Sequence, residues 1–115
     1  MNDFDIPIFK KTYDFYKNFH ECRRLVPKTD RFTTFERSED AILDVLEGIV
    51  RAIQSPKGEK AFVLERANIK LNLLRVLIRL MKDTKVLDLK KYMAFEEQID
   101  EIGRMLGGWL RSLHI

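Results

Sequence analysis

The sequence predicts an all-α protein, an antiparallel up-down four-helix bundle, and three observations carry that prediction. Turn-forming residues concentrate at three places, VPKTD around Pro27, SPKG at 55–58 and DTKVLD at 83–88. The four segments between them repeat apolar residues at three-to-four-residue steps. Five glycines and three prolines leave little material for the turns of a strand-rich sandwich. Segments of about 18 to 25 residues would make helices of roughly 27 to 37 Å, and matched lengths with short links favour antiparallel neighbours. Residues 1–115 are read as one domain with one core, with helices over about 6–26, 31–54, 58–82 and 88–113.

Helix one is expected to begin near Asp5 with Pro7 in its opening turn, where a missing N–H costs nothing. It carries two candidate apolar stripes, Phe9, Thr12, Tyr16, Phe19 and Arg23, and Ile8, Phe15, Phe19, Cys22 and Val26. Helix two starts at Asp30 or at Thr33, where Thr33 and Glu36 have capping-box spacing, and aligns Phe35, Ile42, Leu46, Ile49 and Ile53. Helix four is expected to be capped by Asp88, with Leu87 and Tyr92 spaced for a hydrophobic staple. Its apolar positions, Tyr92, Phe95, Ile99, Ile102, Leu106, Trp109, Leu110 and Leu113, make the most regular pattern of the four.

Helix three departs from the simple pattern because its apolar face is too wide. At about 100° per residue, the apolar positions between Phe62 and Met81, Leu73, Val76 and Leu80 among them, cover an arc of roughly 220°. Part of that arc is therefore expected to meet something other than its own bundle, which predicts an oligomer. The remaining sector gathers Arg75, Arg79 and Lys82 on one strip. That strip reads either as a solvated helix face or as a phosphate-contacting one, since guanidinium groups one turn apart can each fork onto phosphate oxygens. Arg23, Arg24, Lys28 and Arg31 at the first turn, with Lys57 and Lys60 at the second, either extend the strip or solvate helix ends.

Gly103, Gly107 and Gly108 are costly inside a helix, at up to about 1 kcal/mol each relative to Ala. Close approach of a neighbouring helix along Gly103 and Gly107, with Trp109 closing the end of the core, is the preferred explanation. A kink or stop at Gly107 and Gly108 is the alternative.

No nucleophile, base and orienting group can be assembled into a catalytic set, so no enzymatic activity is expected. His20 lies in the helix-one pattern, and His114 is the penultimate residue. Cys22 reads as a buried structural thiol. The acids Glu96, Glu97, Asp100 and Glu101 lack the Glu-x-x-His partners of a di-metal bundle and read as a solvated face; no metal or cofactor is expected. One cysteine excludes an intramolecular disulfide and suits a reducing compartment. With neither a secretory signal nor an apolar run long enough to span a bilayer, a cytoplasmic protein without membrane contact is expected.

The C-terminal run DEIGRMLGGWLRSL, at 100–113, resembles the end of the Avd family, the accessory variability determinants of diversity-generating retroelements. It is similar too to the related four-helix-bundle proteins of ribosomal RNA intervening sequences. VPKTDRF at 26–32 looks like the family's first inter-helix turn, AILDVLEGIVRA at 41–52 like its second helix and LNLLRVLIRLMKD at 71–83 like its third. The resemblance implies a homopentameric, ring-like assembly of four-helix bundles that binds RNA and DNA through basic surface. It also implies association with the element's reverse transcriptase in mutagenic retrohoming, as a non-catalytic scaffold. In the family the arginines of an L-R-x-x-x-R pattern on helix three contribute to the basic surface, and here they match Arg75 and Arg79. A net charge of +3 is modest for such a role, but five copies would carry about +15 and a ring can gather it on one surface. The competing expectation is a protein-interaction module of the intervening-sequence type, with charge serving solubility alone.

Overall fold

A computed structural model describes residues 6–113. The described chain is helical throughout and holds no strand. Helix α1 spans Pro7–Glu21, α2 Thr34–Gln54, α3 Lys57–Asp83 and α4 Leu89–Ser112, with short 3-10 turns at Cys22–Leu25 and Lys28–Asp30. Each helix packs on the next and α1 closes against α4, giving a four-helix bundle of 45 × 25 × 22 Å. The expected start near Asp5 and the penultimate His114 lie outside the described residues.

Of the two stripes proposed for α1, the structure buries the second. Ile8, Phe15, Phe19, Cys22 and Val26 enter the core, while Phe9 and Tyr16 flank it. Thr12 is buried as well, its hydroxyl donating to the Ile8 carbonyl at 2.9 Å. The α-helix stops at Glu21, short of the expected end near residue 26. Pro27 disfavours the helical region for the residue before it, and Val26 is accordingly extended at φ −84°, ψ 134°. The chain tightens into the Cys22–Leu25 turn on the way there.

Helix α2 begins after Thr33, not at Asp30, and the anticipated capping box does not form. The Thr33 hydroxyl instead donates backward to the Asp30 carbonyl at 3.2 Å. At the C-terminus of α2 the Lys60 ammonium donates to the carbonyls of Ala52 at 2.5 Å and Ile53 at 3.3 Å. It thereby adds a donor at the helix end, where the Ala52 carbonyl also accepts from the Ser55 N–H at 3.3 Å. Between α2 and α3 the backbones come close at Gly48, where an added Cβ would lie 2.8 Å from that of Ala67.

Helix α3 ends in a Schellman arrangement. The Val86 N–H donates to the Met81 carbonyl at 2.8 Å and the Lys85 N–H to that of Lys82 at 3.0 Å, with Lys85 at φ 65°, a position usually taken by Gly. Helix α4 is capped as expected, Asp88 Oδ1 accepting from the Lys91 N–H at 2.7 Å. It runs unbroken to Ser112, so Gly107 and Gly108 neither stop nor interrupt it.

The core has an aromatic knot at the end of the bundle that holds the two longer connections. Phe19 stacks on Phe35 at 4.7 Å between centroids and meets Phe95 at 5.1 Å, while Phe15 meets Phe95 edge-on at 5.9 Å. Three helices are thereby tied through one residue of α1.

Candidate nucleic-acid interface

Helix α3 turns one stripe inward and leaves a second outside. Leu64, Ala67, Leu71, Leu74, Ile78 and Met81 are buried. Phe62, Ile69, Val76 and Leu80 are exposed, at 64%, 66%, 63% and 44% of their surface, with Leu73 half-buried between them. Steps of seven, four, three and four residues put these five on one seam. Their own bundle does not cover them. Trp109 is half-buried at the edge of the core.

The cations of the α3 strip do not form the free row that the helical pattern suggested. Arg75 reaches across to α4 and pairs with Asp100. Arg79 lies 4.0 Å from Asp83, and Lys82 lies 3.5 Å from the same carboxylate and 4.7 Å from the centre of the Tyr92 ring. Arg79 is the most open of the three, with 74% of its side chain exposed. Exposed pairs of this kind contribute little and yield readily to a competing anion.

Gly103 belongs to this arrangement, and the close backbone approach expected there is not what occupies its open side. A Cβ at Gly103 would sit 2.6 Å from Arg75 Nη2, so the missing side chain gives the guanidinium its path to Asp100. Gly107 and Gly108 have near them only the Arg111 side chain of their own helix. The glycine that does admit a neighbouring helix is Gly48, which the pattern of helix two did not single out.

A second group of cations gathers at the end of the bundle above the aromatic knot. Arg24 and Lys28, from the α1–α2 connection, are exposed and form no ion pair among the described residues. Lys85 and Lys90, from the α3–α4 connection, are likewise exposed and unpaired. The two connections adjoin, since Cys22, Leu25 and Val26 share a cleft with Val86, Leu87, Asp88 and Lys91. Arg31 has a different task, donating to the carbonyls of Val26 at 3.0 Å and Arg24 at 3.3 Å and so tying the loop to itself. Arg23 lies over the Phe32 ring at 5.3 Å. Glu21 and Glu36 are exposed at this end too, so the surface is predominantly, not uniformly, basic. Lys85, Lys90 and Lys91 were not among the residues the sequence nominated; they stand some sixty positions from Arg24, and only the antiparallel turn of the bundle brings them near.

The bAvd-like family model matches residues 7–113. The chain belongs to the bAvd-like family. No curated protein matches it.

In this bAvd-like chain several of the remaining polar groups join one helix to another. His20 Nδ1 lies 2.6 Å from Glu39 and its ring stacks on Tyr16, joining α1 to α2. Burial pushes the Cys22 thiol up to about 11, with nearby Lys91 opposing and Glu39 adding to the shift, so it stays protonated and a poor nucleophile near neutral pH. Glu101 pairs with Lys11 at 2.8 Å and Asp100 with Arg75. Among the described residues no three His, Cys, Asp or Glu side chains gather as a metal site requires, and no helix is long and apolar enough to cross a membrane.

Proposed function

We propose that this chain is a non-catalytic accessory scaffold of a diversity-generating retroelement, a homo-oligomer that binds RNA or DNA and holds it beside the element's reverse transcriptase in the cytoplasm. Membership of the bAvd-like family supports the accessory role. The observation that carries the scaffold reading is the exposed seam of Phe62, Ile69, Leu73, Val76 and Leu80, apolar surface that a solitary bundle has no reason to keep. Copies joined along it, five in the resemblance, would also multiply the cations of Arg24, Lys28, Arg79, Lys85 and Lys90 on one assembly. Sedimentation at micromolar concentration is expected to give a mass several times 13.7 kDa, and the Ile69→Glu, Val76→Glu double variant a folded monomer. RNA retained on filters at low salt should be released steeply as salt rises. Co-purification with the reverse transcriptase is the direct assay of that partnership. A wild-type monomer would remove the scaffold.

The pairing of Arg75 with Asp100, and of Arg79 and Lys82 with Asp83, favours a second reading, a protein-interaction module whose charges only keep it soluble. Stable oligomers that bind neither RNA nor DNA at low salt would establish it over the first.

A further inference from the structure

The most exposed large apolar side chain of the loop end is Phe32, with 69% of its surface open. It does not belong to the α3 seam, and two cations stand beside it, Arg31 as its neighbour in the chain and Arg23 over its ring. The loop that carries it is held by its own hydrogen bonds. Asp30 N–H donates to the Pro27 carbonyl at 2.8 Å, Thr33 Oγ1 to the Asp30 carbonyl at 3.2 Å, and Arg31 to the carbonyls of Val26 and Arg24. Phe32 is therefore displayed on a fixed turn, and the Arg23 guanidinium over its ring at 5.3 Å backs one side of it. Arg24 and Lys28 stand on the same loop with no acid partner among the described residues.

An aromatic ring with an open side, set among unpaired cations, matches the requirements of one ligand class. Unpaired bases have a free π-face to stack on the ring, and phosphates on either side of the base meet the cations. Bases inside a duplex are already stacked on both faces and offer the ring nothing. A second copy of the same surface is disfavoured, because like charges would face one another. We infer that Phe32 is a stacking platform for an unpaired base of single-stranded nucleic acid, with Arg23 bracing the ring and Arg24 and Lys28 holding the neighbouring phosphates. This rests on the nucleic-acid-binding reading above and gives it a substrate class.

The test is fluorescence anisotropy of the full chain with labelled single-stranded and duplex oligonucleotides of equal length, RNA and DNA, at one low salt concentration. Phe32→Ala should weaken single-strand binding by about 5- to 150-fold, the range for losing one stacked base, and leave duplex binding unchanged. Phe32→Trp should retain it. RNA and DNA single strands should lose equally, because the contact is to the base. An undiminished single-strand affinity in Phe32→Ala, an equal loss on duplexes, a loss confined to RNA or DNA, or a changed sedimentation mass would each overturn the platform while leaving nucleic-acid binding itself in place. Wild-type protein that binds no oligonucleotide would overturn both.

Discussion

Lys60 at one end of this bundle and Arg24, Lys28, Lys85 and Lys90 at the other use their charge in opposite ways, while Lys57, close to Lys60, stays exposed with no ion pair among the described residues. Where α2 turns into α3, Lys60 is folded back onto the last carbonyls of α2, and Arg51 lies 3.4 Å from Glu47 one turn earlier. Where α1 passes to α2 and α3 to α4, Arg24, Lys28, Lys85 and Lys90 project without an ion-pair partner among the described residues, and the last carbonyls of α3 are satisfied instead by backbone N–H groups and the Thr84 hydroxyl. The difference teaches that a cation near a helix end is not by itself a binding group. What decides is whether an unsatisfied acceptor lies within reach, because a charge-assisted hydrogen bond to an orphan carbonyl outcompetes solvent. At the loop end, among the described residues, only Arg31 has been recruited that way, and it is the one that shapes the loop.

The largest expected effect tests the floor beneath the basic end. Phe19 is fully buried and touches Phe15, Phe35 and Phe95, so Phe19→Ala should cost about 3–5 kcal/mol in urea unfolding. A loss below about 1 kcal/mol would mean that the aromatic knot is not what holds the three helices at that end. The next test exchanges the roles of the two ends. Lys60→Met should cost up to about 1 kcal/mol of stability and leave RNA affinity alone. Arg24→Ala with Lys28→Ala should do the reverse, leaving stability within about 0.5 kcal/mol and flattening the salt dependence of RNA binding by about one unit for each phosphate that is no longer neutralised. Equal effects of the two variants on both measurements would erase the distinction. The smallest effect is a gain. Lys85→Gly removes a side chain from a left-handed turn and should raise stability by up to about 1 kcal/mol in the same unfolding assay. Its RNA affinity should fall slightly, because one positive charge is removed.

Much of the fold was legible because it depends on local rules. Helical periodicity marked Phe35, Ile42 and Ile49 of α2 and Phe95, Ile99, Ile102 and Leu106 of α4 as core, although Leu46 is only half-buried and Val45 takes the buried position beside it; Asp88 was recognisable as a cap, and the surplus apolar arc of helix three appeared as the exposed seam. The errors came where a local rule had a competitor. Thr33 and Glu36 had the spacing of a capping box, but the preceding turn offered the Thr33 hydroxyl an acceptor in Asp30. Gly103 looked like a close approach of a neighbouring backbone, because a missing Cβ says that room is needed without saying that side chains of α3, Arg75 foremost, fill it.

The candidate site was less legible than the fold. Arg75, Arg79 and Lys82 share a strip on an isolated helix, but the acids that meet them come partly from elsewhere, and Asp100 lies 25 positions away on α4. The sequence by itself determined four amphipathic segments, their breaks and an apolar excess on the third, since these follow from side-chain identity repeated at the helical period. Only tertiary packing decided which cations are occupied and which are left over. Electrostatic and hydrogen-bond partners are chosen by proximity in space, and the antiparallel turns of the bundle set that proximity independently of separation along the chain.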